Sequence, residues 1–181
     1  MAKNSNPLDV FLATVEGRAF FMARLGTRCD ADALDVVQDT MIRFAQYYSK
    51  KPAEEWKPLF YRVLQSKIVD WHRRDFIRSR ILVFRNAAPS GNNGPESSCQ
   101  LPDHDGASTE ERAARNMFMK KLRTSLTDLP LRQRQSFLLR AWEGLSVAET
   151  ALAMGCSEGS VKTHYSRALA TLKTHLEGHG S

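Results

Sequence analysis

The strongest constraint on what this chain can fold into lies near its C-terminus. Ser146 is followed three residues on by Glu149, a spacing at which each side chain satisfies an orphan backbone N–H at the other's position. The pattern predicts a helix opening at Ser146, with Val147, Ala151 and Leu152 as its apolar stripe. Gly155 supplies the permissive backbone needed where that helix stops. Ser157 caps a second helix, with Glu158 in its first turn, where negative charge suits the macrodipole. The second helix buries Val161, Tyr165, Ala168, Leu172 and Leu176, which recur at helical spacing. Its other face presents Ser160, Lys162, Thr163, His164, Ser166 and Arg167. Two such helices joined by a glycine turn make a helix-turn-helix, whose second helix suits a DNA major groove.

The rest of the chain also reads helical, apart from its middle. Pro7 sits well in a first helical turn after Asn6. Val10, Phe11, Val15, Ala19, Met22 and Leu25 form a stripe, and Gly26 suits the stop. Asp30 or Asp32 opens a second helix, striped by Leu34, Val37, Met41, Phe44 and Ala45 and broken near Pro52. Trp56-Lys-Pro58 starts a third, lined by Phe60, Leu64, Ile68 and Trp71. Residues 86–110 are rich in Gly, Pro, Asn and Ser and read as a flexible linker. Helix resumes near Thr109, with Ala113, Met117, Leu122 and Leu126 apolar. Another helix starts at Pro130, carries Phe137, Leu138, Ala141 and Trp142, and ends at Gly144. No hairpin signal or alternating run suggests a sheet. The expected fold is all-α: a helical domain over 1–85, a tether over 86–110, and a second helical domain over 111–181 ending in the helix-turn-helix.

Charge follows the same division. Residues 1–85 carry 15 Lys/Arg against 10 Asp/Glu, residues 86–111 carry none against 5, and residues 112–181 carry 11 against 5. Two basic blocks flank an acidic segment, and basic blocks attract polyphosphate by counterion release. The third predicted helix adds aromatics to cations. It combines Arg62, Lys67, Arg73, Arg74, Arg78 and Arg80 with Trp56, Phe60, Tyr61, Trp71 and Phe76. Unpaired bases stack on aromatics while cations track the backbone. Phe60 and Trp71 fall on the apolar stripe and read as core, which leaves Trp56 and Tyr61 for DNA. On the second helix, Asp35, Gln38 and Asp39 share one face. Two carboxylates so placed repel one another, which makes sense if they meet a basic partner.

Several classes are disfavoured. No run approaches the length of a membrane span, and the first residues lack a signal-peptide core. Cys29, Cys99 and Cys156 are far apart and odd in number, which fits a reducing cytoplasm. The five histidines show no ligand spacing, so neither metal nor cofactor is expected. An enzyme acting on nucleic acid would need paired carboxylates, a nucleophile–base motif or a phosphate loop, and none is present. A stand-alone helix-turn-helix regulator accounts for residues 129–177. It leaves the acidic face and the aromatic-basic helix unexplained, and no dimerisation element is evident.

Taken with their order, these blocks resemble the small, two-domain, extracytoplasmic-function (ECF) sigma factors of bacterial RNA polymerase. Leu129-Pro-Leu-Arg-Gln-Arg-Gln-Ser-Phe-Leu-Leu, Leu145-Ser-Val-Ala-Glu-Thr-Ala and Gly159-Ser-Val-Lys-Thr-His-Tyr-Ser-Arg-Ala-Leu resemble that family's fourth conserved region. Asp32-Ala-Leu-Asp-Val-Val-Gln-Asp-Thr-Met-Ile-Arg-Phe is similar to its core-polymerase-binding helix. Leu59-Phe-Tyr-Arg-Val-Leu-Gln-Ser-Lys-Ile-Val-Asp-Trp-His-Arg-Arg is similar to its promoter-melting helix.

The resemblance implies a promoter-specificity subunit that is not itself an enzyme. It implies core RNA polymerase and promoter DNA as partners, commonly with an anti-sigma factor. Asp35, Gln38 and Asp39 would meet the coiled coil of the largest polymerase subunit. Trp56, Tyr61, Arg62, Ser66, Lys67, Asp70, Arg73 and Arg74 would meet the −10 element, with a flipped base held near Lys50–Pro58. At the −35 element, Lys162 and Arg167 would supply affinity, and Ser160, Thr163 and His164 positioning. Glu96, Asp103 and Asp105 either mimic phosphates in a basic polymerase channel or are simply solvated. The chain departs from the family pattern at Gln65 and Ser66, where Arg-Asn is usual, at Lys162-Thr163-His164, where Lys-Ser-Arg is usual, and at Leu169, often Arg.

Overall fold

The computed structural model describes residues 6–85 and 109–177. The acidic segment, with Cys99, Glu96, Asp103 and Asp105, lies outside the described residues. The described residues are helical, without a strand, and fall into two compact units.

The first unit is built on α1 (Pro7–Thr27), α2 (Asp30–Tyr48) and α3 (Ala53–Arg85). Asn6 caps α1, accepting the Leu8 N–H on its Oδ1 at 3.2 Å, with Pro7 as the first helical residue. The helix does not stop at Gly26. It ends one residue later, and Arg28 takes the left-handed position at φ 60°, its N–H donating to the Arg24 carbonyl. Gly26 has another task. A Cβ there would lie 2.8 Å from Ile68 Cγ2, so the missing side chain permits the close approach of α1 to α3. Asp30 begins α2 and pairs with Arg24.

Aromatic rings fill this unit. Phe11, Phe44, Trp56 and Phe60 pack with centroids 5.5–6.5 Å apart, a range in which tilted and edge-on rings attract. Phe44, Phe60, Tyr61 and Leu64 are fully buried, and each such side chain contributes about 1.5–3 kcal/mol over remaining exposed. The buried face of α2 is Ala33, Val36, Val37, Thr40 and Phe44. Leu34, expected in the core, is exposed, as is Val10 of α1. The small Ala33 lies against the other helices, and buried Thr40 satisfies its hydroxyl on the Val36 carbonyl at 2.7 Å. These two residues turn α2 by less than one residue's rotation of about 100° away from the expected stripe, so that Val37 and Phe44 stay buried in both.

α4 (Thr109–Asp128), α5 (Leu131–Phe137), a π-helical continuation over Leu138–Trp142, the first turns of α6 (Val147–Met154) and α7 (Glu158–Glu177) belong to the second unit. Pro130 is the N-cap of α5, and Gly144 adopts φ +69° beyond the π turn. Arg134, buried, donates to the Thr127 carbonyl at 3.1 Å. Ser136 donates to the Val161 carbonyl at 3.1 Å and joins α5 to α7. Lys121 of α4 donates to the Leu176 carbonyl at 2.8 Å, where a cation suits the end of α7. Leu126 is buried, whereas Met117, expected on the same stripe, is exposed. Ala141 is exposed too.

Candidate nucleic-acid and polymerase interfaces

The helix-turn-helix has the local chemistry its sequence predicts. The Ser146 N–H donates to Glu149 Oε2 at 2.7 Å, and the Glu149 N–H donates to Ser146 Oγ at 3.1 Å. Gly155 adopts φ +62°. Its N–H bonds the Leu152 carbonyl, and the Cys156 N–H bonds that of Ala151, the paired bonds of a glycine-terminated helix. Ser157 Oγ accepts the Ser160 N–H at 3.2 Å and opens α7. Val161, Ala168 and Leu172 are buried, with Tyr165 and Leu176 half-buried. Tyr165 stacks on Phe137 and lies under the Arg140 guanidinium. Leu152, expected on the apolar stripe of α6, is exposed.

On the outer face of α7, Lys162, Thr163, Ser166 and Arg167 are exposed, and Ser160 and His164 are half-buried. Two hydroxyls are already engaged locally: Ser160 with Ser157 at 2.9 Å, and Thr163 donating to the Gly159 carbonyl at 3.0 Å. That leaves Lys162 and Arg167 as the long cations of this face, able to reach phosphates or guanine edges.

In the first unit, α3 carries two cationic strips. Arg62, Ser66, Asp70 and Arg73 recur at spacings of four, four and three, and all are exposed. Lys67, Trp71, Arg74 and Arg78 form the second strip. They face Asp35, Gln38 and Asp39 of α2 across a cleft of about 380 Å³. Lys67 Nζ lies 2.9 Å from Asp39 Oδ2. Asp35 and Gln38 are exposed beside it.

The sigma-70 region 4 family matches residues 119–172. RNA polymerase sigma-E factor of Streptomyces avermitilis is 44% identical over 79 residues, 43% of this chain and 42% of that protein. The match thus spans under half the length of that relative. The ECF RNA polymerase sigma factor SigX of Bacillus subtilis is 28% identical over 145 residues, 79% of this chain and 70% of that protein. Among solved structures, the sigma factor RpoE in complex with the anti-sigma factor NepR from Bartonella quintana superposes with a TM-score of 0.64 at 21% identity. It covers 94% of this chain and 96% of that one, and shows the shared fold. The chain thus carries a sigma-70 region 4 and is similar to the ECF sigma factors.

Two sequence-derived assignments in this chain are corrected by burial. Tyr61 is fully buried and Trp56 is 8% exposed. The Trp56 indole N–H donates to the Lys51 carbonyl at 2.8 Å and closes the turn between α2 and α3. Both rings belong to the aromatic core, and neither offers a face to a base. The segment Lys50–Pro58 is largely not a loop, because α3 already begins at Ala53. Phe60 is core, as expected, whereas Trp71 lines the cleft half-exposed. The sequence reading also missed Leu34 and Ile42, 50% and 58% exposed, which flank Gln38 one turn either way. Only the true phase of α2 reveals them, since each is apolar and reads as core by composition.

Proposed function

We propose that this chain is a sigma factor, a promoter-specificity subunit bound to core RNA polymerase through α2 and to promoter DNA through α3 and α7. The observation that carries the reading is the outer face of α2. Leu34, Gln38 and Ile42 stand one turn apart and exposed, with Asp35 and Asp39 beside them. An apolar line edged with carboxylates fits a basic, amphipathic helical partner, such as the coiled coil of the largest polymerase subunit.

The remaining roles follow from charge. Arg62, Ser66, Asp70, Arg73 and Arg74 meet the −10 element, and Lys162 and Arg167, with Thr163 and His164, meet the −35 element. Ser160 acts through Ser157 in shaping the start of α7. Melting needs no nucleotide hydrolysis in this account. A stacked step costs about 1.4 kcal/mol to open, and each captured base returns roughly 1–3 kcal/mol. The domain carrying core and −10 contacts is 1–85, and that carrying −35 contacts is 111–181. An anti-sigma protein is the expected regulator, as RpoE is solved with NepR. The subunit acts in the cytoplasm and is regulatory rather than catalytic. Among the described residues no helix is long and apolar enough to cross a membrane.

Affinity capture tests the α2 assignment. Asp35→Ala with Asp39→Ala is expected to weaken retention of purified core polymerase while the helical circular dichroism stays unchanged. Unchanged retention removes α2 as the core-binding face.

A further inference from the structure

We propose that Phe76, with Arg80 packed across its ring, is the stacking platform of α3 for an unpaired promoter base; this rests on the assignment of α3 to the −10 element. The burial of Trp56, Phe60 and Tyr61 removes three of the six aromatics on this helix from any contact with DNA. Trp71 turns into the cleft toward α2. Phe76 is 59% exposed, and the guanidinium of Arg80 lies 4.8 Å from its ring centroid.

The helical position of Phe76 selects the ligand. Counted along α3, Phe76 and Arg80 continue the strip of Arg62, Ser66 and Arg73, each within about 60° of Arg73 at 100° per residue. Asp70, 4.0 Å from Arg73, is the one carboxylate of that strip, so the face is net positive. Arg73 and Arg80 stand about 10 Å apart along the axis, close enough for the backbone of one strand to reach both. An exposed ring between two guanidinium groups offers an apolar π-face and anion contacts together. A single strand with unstacked bases supplies both complements. Ile77, 57% exposed, extends the apolar surface beside the ring.

The test uses the full chain with core polymerase and a forked duplex built on a start site selected by run-off transcription. 2-Aminopurine is placed at each unpaired position in turn. The wild type is expected to quench one position strongly. Phe76→Ala is expected to lose that quench and bind the fork about tenfold more weakly, within the range for loss of one stack, and Phe76→Trp to restore both. Quenching by Phe76→Ala equal to wild type at every position overturns the proposal. Arg62→Ala with Arg73→Ala separates it from its premise. If that variant also binds as wild type, α3 is not the DNA face; if it alone loses binding, only the stacking role falls.

Discussion

Lys67 of α3 and Asp39 of α2 are joined by an ion pair of 2.9 Å, which links a residue first read as a DNA contact to one read as a polymerase contact. The Lys67 side chain is 21% exposed and that of Asp39 58%. A pair so open to water is worth roughly 0–1 kcal/mol. Lys67→Met is therefore expected to leave thermal stability nearly unchanged. By removing a cation that competes for Asp39, it should strengthen core binding a few-fold, read by titration of labelled core polymerase. Weaker core binding contradicts this.

Burial changes what the aromatic variants should do. Tyr61→Ala is expected to destabilise the first unit by about 3–5 kcal/mol, the usual cost of truncating a core aromatic. Arg73→Ala, at an exposed position, should leave the melt unchanged and weaken binding to forked DNA. Chemical denaturation beside fork-binding titration separates the two. A Tyr61→Ala protein of native stability with lost DNA binding would return Tyr61 to the DNA face.

Gly26→Ala places a Cβ 2.8 Å from Ile68 Cγ2, on a β-branched side chain that is 2% exposed and cannot move aside cheaply. Overpacking of this kind costs about 1–3 kcal/mol, against about 1 kcal/mol gained in helix propensity. A net loss and a lower melting temperature are expected. Arg28→Gly, at φ 60°, should raise stability by about 1 kcal/mol, and with it the melting temperature, because an L side chain is strained there.

The capping box gives a local test of the helix-turn-helix. Ser146→Ala removes the acceptor of the Glu149 N–H and is expected to cost about 1 kcal/mol, read by urea denaturation. Lys162→Ala with Arg167→Ala should leave the fold intact. It should also reduce the slope of log affinity against log salt by about two units for DNA carrying the −35 element. An unchanged slope argues that these cations do not meet phosphates.

What could be read from sequence was whatever is local. The Ser146–Glu149 box, the Gly155 turn and the Val161–Ala168–Leu172 stripe depend on neighbours within one or two turns, and they appear as written. The phase of α2 was not legible, because Ala33 and Thr40 are its close-packing residues and neither counts as strongly apolar. The same limit hid Leu34 and Ile42 as an outward line. Tyr61 was misplaced because α3 packs against both α1 and α2. A helix held between two others buries a wide arc, so adjacent Phe60 and Tyr61 are both enclosed, while periodicity for a single contact face predicts only one. Gly26 read as a stop because a glycine near a helix end usually is one, and only the neighbouring Ile68 reveals the close approach.

Run-off transcription with purified bacterial core RNA polymerase, paired with gel shift on the same promoter library, tests the central claim most directly. The account predicts tight DNA binding and start-specific transcripts only when chain and core polymerase are both present, and loss of both with Asp35→Ala and Asp39→Ala. Equally tight binding of the same DNA by the chain alone, with transcripts unaffected by its addition, would contradict it.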